Sequence, residues 1–259
     1  MTDSGRTTIV FGGSSGIGRA IAERCAQDGD NIILLARNEE KLKRAAEGVL
    51  QAGAQSARVL STDHNDSSRV HQTLEELESL APSPHRLILN GGGPPFGRFT
   101  EISLEEWRSS IQSTLLSHVQ ILHTMVPGLA TGSSVLVVLS DVVRHAAPEK
   151  VLACSLRLAL LGLIKCLALE YAKDGIRFNA VSPGPTETER AVSLLRKAAA
   201  EQGISEEVAS ERFVSSLPMG RMALPQEVAE VAHFLLSDKA AYVSGMNYIC
   251  DGCLSTVPL

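Results

Sequence analysis

The sequence predicts a doubly wound α/β domain of the Rossmann type, a parallel sheet with helices on both faces. Three observations predict it. Short β-branched runs alternate with helical periodicity along the chain, a glycine-rich turn joins the first run to the first helix, and no Ser/Gly-rich linker or charge run divides the 259 residues. Strands alternating with helices build βαβ units with right-handed crossovers. A single domain over residues 1–259 suits this length.

The elements follow in order. Thr7–Phe11 is a β-branched apolar run that stops at glycine, and 17–28 opens with the helix-forming Arg19, Ala20 and Ile21. Strand Asn31–Ala36, helix Glu39–Ala52, strand 57–61 and helix 66–80 complete the first half. Strand Arg86–Asn90, a helix over 104–125, strand 134–140, a helix over 149–173 and strand 176–182 continue the alternation. The segment 188–213 is helical, charged and rich in Ala and Glu. A cover over a substrate is expected from this region, about 188–215. Helix Pro225–Leu236 and a last strand at 248–250 end the pattern.

Composition narrows the function. The 44% hydrophobic content supplies a core, and 24 basic against 29 acidic side chains leave a net charge of −5. Mild acidity without a basic block offers no electrostatic footprint for nucleic acid or an anionic membrane, so neither is an expected partner. No apolar run reaches the roughly 20 residues of a membrane helix. The opening MTDSGRTTIVFGG lacks the charged start, apolar stretch and cleavage site of a signal peptide, which points to the cytoplasm. The five cysteines are too few and scattered for a disulfide framework.

Directly after the first strand stands Gly12-Gly13-Ser14-Ser15-Gly16-Ile17-Gly18. Glycines at a strand-to-helix joint let the main chain approach a pyrophosphate, whose charge sits on the free N–H groups and positive end of the helix. The second strand ends Leu35-Ala36-Arg37-Asn38, without the acid that would bond a ribose 2′-hydroxyl and with a guanidinium suited to a 2′-phosphate. NADP(H) is therefore favoured over NAD(H).

These residues resemble the short-chain dehydrogenases/reductases over nearly the whole chain, and are similar to that family's 3-oxoacyl-ACP-reductase-like members. The turn at 12–18 looks like the family's TGxxxGIG, with Phe11 where its Thr usually stands. Asp63, followed by His64, matches the Asp that reads the adenine amino group, and Asn90-Gly91-Gly92 looks like the NAG at the end of the fourth strand. Residues 174–181, DGIRFNAV, resemble DGIRVNAV. Pro183-Gly184-Pro185-Thr186-Glu187-Thr188 resembles PGxxxT, which lies beside the nicotinamide. The resemblance implies that Gly12, Ser14, Ser15, Gly16, Ile17, Gly18, Arg37, Asp63, His64, Asn90, Gly91, Gly92, Arg157, Pro183, Gly184, Thr186 and Thr188 hold the cofactor. It also implies a small carbonyl or alcohol substrate.

The family's catalytic groups are replaced. By alignment its YxxxK falls on Ala153 to Arg157, its Ser on Asp141 and its Asn on Thr114. A positioned acid typically contributes 10²–10⁴-fold and an oxyanion donor about 10²–10³-fold, so the usual ketone reduction would be very slow. Arg157 does not relay protons as an amine does, although it can donate to the ribose. Asp141 facing a carbonyl would repel an oxyanion unless protonated or paired, and Arg157 is the nearest candidate cation by family geometry. Asp141 and Arg157 are thus the candidate catalytic residues, with His145 and Ser155 in reserve. His118 is a further histidine on the helix after Trp107. Non-standard chemistry and a catalytically inactive subunit beside an active reductase both remain compatible.

Three further features bear on function. Cys250-x-x-Cys253 has redox spacing but no second pair to complete a metal site, and no metal is expected. Gly93-Pro94-Pro95-Phe96-Gly97 is a rigid turn after the fourth strand, placed to wall a substrate pocket. The helix over 149–173 is apolar on more than one face, through Leu156, Leu158, Leu160, Leu161, Leu163, Ile164 and Leu167, so it needs cover on both sides. A homo-oligomer, dimer or tetramer, or a mixed oligomer with an active relative is expected.

Overall fold

A computed structural model describes residues 5–256. Seven parallel strands, β1 Thr7–Phe11, β2 Asn31–Ala36, β3 Ser56–Ser61, β4 Arg86–Asn90, β5 Ser134–Val138, β6 Arg177–Pro183 and β7 Asn247–Cys250, form one sheet in the order 3-2-1-4-5-6-7. The helices between them are α1 Gly16–Ala26, α2 Glu39–Ala52, α3 Ser67–Leu80, α4 Leu104–Ser110, α5 Ser117–Met125, α6 Val151–Glu170, α7 Glu189–Gln202, α8 Glu206–Ser215 and α9 Pro225–Leu236. The order reverses between β1 and β4. Ligands of open α/β sheets bind at such a switch point, beyond the strands' carboxyl ends.

Strand periodicity builds two cores. Ile9 and Phe11 of β1 join Ile33 and Leu35 of β2 under α3, α5 and α6, while Val10, Ile32 and Leu34 point the other way under α1, α2 and α9. Because both faces are covered, these strands read as continuous apolar runs. Helix starts are set locally. Asn38 accepts from Lys41 N at 2.9 Å to cap α2, and Asp66 accepts from Arg69 N at 3.0 Å to cap α3.

Below the sheet lies a buried charge network. Arg86, 2% exposed, donates to Asp30 Oδ2 at 2.8 Å and to Asp28 Oδ2 at 3.0 Å. His233 Nε2 completes it at 2.7 Å from Asp28 Oδ2. Burial, helped by the charges of Asp30 and Asp28 and opposed by Arg86, pushes the neighbouring Cys25 thiol up to about 12, so it is inert.

Two expectations need correction, and a third gains detail. The helix expected over 104–125 holds a π-turn at Ile111–Leu116, where Ser117 N–H reaches back to Gln112 O. The segment expected to be helical over 188–213 is helical as two elements, α7 and α8, parted at Gly203 with φ +64. One helix among the described residues, α6, is long and apolar enough by composition to cross a membrane, with 20 residues and a mean hydropathy of 2.0. Here it serves as a core helix, its Leu152, Ala153, Leu156, Leu160, Ile164 and Ala168 buried.

Candidate functional site

The glycine turn is shaped by close backbone approach. A Cβ on Gly12, whose φ is +68, would lie 1.8 Å from Asn90 O, and one on Gly18 would lie 2.2 Å from Gly12 O. Asn90 Nδ2 donates to Gly12 O at 3.0 Å, locking the turn to the end of β4. Ser15, the residue before α1, makes no side-chain capping bond, so the first N–H groups of α1 have no hydroxyl partner. Orphan donors at a positive helix end fit a pyrophosphate. A Cβ on Gly92 would meet nothing within 4 Å, which leaves room for a ribose along that wall. These residues fit a nicotinamide dinucleotide.

At the end of β2, Arg37 is exposed and makes no ion pair among the described residues. Its charge reaches His64, helping to lower that ring's pKa. Arg37, Asp63 and His64 therefore share one end of the groove. Asp63 Oδ1 accepts from Asn65 N and Nδ2, both at 3.0 Å, leaving Oδ2 available. At the other end, Thr188 caps α7 by accepting from Ala191 N at 3.2 Å, and its Cγ2 is 3.1 Å from where a Gly16 Cβ would stand. Thr186 is buried, its hydroxyl donating to Gly184 O at 3.0 Å.

Over the C-terminal end of β5 and β6 lies the remodelled centre. Ala153, where the family's tyrosine aligns, is a buried alanine. Asp141, 6% exposed, accepts from the Ser140 hydroxyl at 2.6 Å. The expected Asp141–Arg157 pair is not formed as a contact: Arg157 Nη1 donates instead to Val138 O at 3.1 Å. Burial is the main cause that pulls the Arg157 pKa down to about 10, helped by the charge of Arg190 and opposed by Asp141. The two candidate residues are thus near each other but coupled through space. His145 and Ser155 are exposed, and Ser155 lies on the opposite side of α6 from buried Ala153. Neither reserve residue is brought into the centre. Cys250 is half-buried, and burial raises its thiol to about 11, the reverse of what a redox cysteine needs.

The structure adds residues that sequence reading passed over. Ser140 supplies a hydroxyl at the strand end, one residue before the position where the family's Ser aligns. Arg190, in the first turn of α7, donates to Pro94 O at 3.0 Å, a contact across 96 residues with no local signal. Under Gly91 sits a histidine pair bridged by a hydroxyl. Ser117 Oγ donates to Ser113 O at 2.8 Å and lies 3.0 Å from His64 Nδ1 and 3.2 Å from His118 Nδ1. Burial is the main cause that lowers His64 to about 4 and His118 to about 3.

That pair has a consequence for acid stability. Both rings are neutral when folded, whereas unfolded histidines take up protons near 6.5. The unfolded state therefore binds more protons between about pH 6.5 and 4, so the contribution is fully present above 6.5 and lost as pH falls. The Tm at pH 5 is expected to lie below that at pH 7.5, and His118→Leu is expected to shrink the difference in paired thermal scans.

Turn, switch point and sheet order together define a Rossmann-type α/β protein. A family model described as enoyl-(acyl carrier protein) reductase matches residues 12–255. The oxidoreductase UcpA of Escherichia coli K12 is 31% identical over 258 residues, covering 98% of this chain and 96% of its own. The L-sorbose reductase of Gluconobacter frateurii, solved with NADPH and L-sorbose, superposes with a TM-score of 0.91 at 25% identity over 98% of each chain. An NADPH-bound short-chain oxidoreductase of Pseudomonas aeruginosa PAO1, described as containing an atypical catalytic centre, shares the fold at a TM-score of 0.87 and 24% identity, over 100% of this chain and 99% of its own. The chain belongs to the short-chain dehydrogenase/reductase family, a family of oxidoreductases.

Proposed function

We propose that this protein is an NADP(H)-dependent oxidoreductase for a small carbonyl or alcohol substrate, working without the tyrosine acid of its relatives. The observation that carries the reading is the pairing of an intact dinucleotide cradle, Gly12 to Gly18 clamped by Asn90, with the exposed, unpaired Arg37 at the end of β2. NADPH in the sorbose reductase complex supports the phosphorylated cofactor.

Bound in the groove, the cofactor would supply or accept a hydride. Arg37 would face its 2′-phosphate, Asp63 its adenine amino group, and the N-terminus of α1 its pyrophosphate. Near the Ala153 position, the Arg157 guanidinium would bring positive charge to an oxygen that becomes negative as hydride arrives, with Arg190 close enough to act on Arg157. A guanidinium keeps its proton near neutral pH, so the proton of the product hydroxyl comes through water or Ser140.

The reading includes a cytoplasmic setting, in line with five unpaired cysteines, and a homo-oligomer. Exposed Val119 on α5, with Leu158 and Leu169 on α6, supplies an apolar face for a second copy. A second reading, a non-catalytic subunit of a mixed oligomer with an active reductase, draws on the buried alanine at the tyrosine position. Fluorescence titration with NADPH and NADH, followed by turnover of a carbonyl and alcohol panel, separates the two. NADPH is expected to bind at least about tenfold tighter and to be consumed with one or more panel members. Tight binding without turnover, and recovery of the chain with an active relative on co-expression, would favour the second reading.

A further inference from the structure

Two guanidiniums converge on the remodelled centre without a carboxylate partner. Arg157 comes from α6 and is half-buried as a residue, with its guanidinium under cover and bound to a main-chain oxygen, Val138 O at 3.1 Å. Arg190 comes from α7. Its stem is exposed, and its head rests on the Gly93–Gly97 turn through Pro94 O at 3.0 Å. A Cβ on Gly93 would lie 2.8 Å from Arg190 Nη2, so the guanidinium lies directly against this turn. Neither makes an ion pair among the described residues.

The wall between them is built. Gly97 N donates to Glu149 O at 2.8 Å, tying the turn to the start of α6 and fixing Phe96 in place. Phe96, 41% exposed, has Lys150 Nζ 5.7 Å and Arg190 Cζ 6.0 Å from its ring centre. Asp141 faces the same centre, and its charge is felt by Arg157. Arg157, Arg190 and Lys150 stand against the single carboxylate of Asp141, so positive charge is in excess along this wall. Such an excess is costly unless an anion is recruited to answer it. The mutual repulsion of Arg157 and Arg190, and the burial that lowers both pKa values, express the same deficit.

From this arrangement we infer that the groove between Arg157, Arg190 and Phe96 is a carboxylate subsite, and that the substrate is a small organic acid whose carbon body lies on Phe96. Guanidiniums present paired N–H donors in the plane a carboxylate needs. The inference rests on the proposed oxidoreductase reading for its substrate but not for its binding, which is tested separately.

The test uses the full chain saturated with NADP⁺ and two probe pairs of like shape, levulinate with its methyl ester and benzoate with benzamide. Binding is followed by calorimetry, and turnover of levulinate and its ester with NADPH by absorbance. The carboxylates are expected to bind at least about tenfold tighter than their neutral partners. Arg190→Gln is expected to abolish that preference while leaving the NADPH Kd within about twofold, and Arg190→Lys to restore part of it. Equal binding of acid and neutral partner would overturn the inference, as would an Arg190→Gln loss of NADPH affinity matching the loss for the acid. Acid binding without turnover keeps the subsite and counts against hydride transfer. Turnover of the ester with the same KM as the acid keeps hydride transfer and sinks the subsite.

Discussion

Arg37→Glu is expected to weaken NADPH binding by on the order of 100-fold or more and to change NADH binding by less than about threefold. A hydrogen bond to a charged group is worth about 1.5–3 kcal/mol, and a glutamate replaces that attraction with repulsion of the 2′-phosphate. Each 1.4 kcal/mol is a factor of ten in Kd. NADH carries no charge at that position, so its affinity reads the cradle alone. The side chain is exposed and has no ion pair among the described residues, so the fold loses nothing when it changes. Titration of both cofactors against both proteins decides the matter; parallel losses would show that Arg37 does not read the phosphate. Raising salt is expected to narrow the gap, because an exposed charge is screened.

The largest stability effect is expected at the opposite end of the sheet. Arg86→Leu would leave Asp30, 0% exposed, without its guanidinium partner, with the Thr8 hydroxyl still on Oδ2. Removing one partner of a buried pair costs about 3–5 kcal/mol. Asp30 Oδ1 already has no hydrogen-bond partner, and burial already pushes the Asp30 carboxyl above its ordinary value. In the variant that carboxyl takes up a proton more readily still. The loss is therefore expected to be greatest at neutral pH and to shrink as pH falls through the carboxylate range. Denaturant unfolding at several pH values measures both features. Adding Asp30→Asn, which cannot ionise, is expected to return part of the lost stability. No recovery would mean that the cost lies in packing around Arg86 and not in an orphaned charge.

Much of this architecture was legible in the sequence because it is local. Strands such as Asn31–Ala36 declare themselves by unbroken apolar runs, and Gly12 to Gly18 by glycines whose missing side chains are required for backbone contact. What escaped reading depends on distant partners. The π-turn around Thr114 contains ordinary helix residues, and nothing in their spacing distinguishes it from α-helix. Gly203 ends α7 by adopting a left-handed conformation that a charged, Ala-rich stretch conceals. The Asp141–Arg157 contact failed for a related reason. Neighbourhood in a family alignment says nothing about competition, and here Ser140 and Val138 O are the hydrogen-bond partners the two side chains find. Arg190 was overlooked because its partner, Pro94, lies in another part of the chain.

The bond between Asn90 and the first turn also bears on biosynthesis. The carbonyl of Gly12 waits for a donor 78 positions downstream, so a nascent chain halted before β4 holds an unfinished loop. Contacts so far apart in sequence form late, after local helices and hairpins have had their chance. On the proposed reading, affinity for the nucleotide would arise only when the middle of the sheet has closed, and ligand capture by ribosome-stalled lengths would then be a direct clock of central assembly.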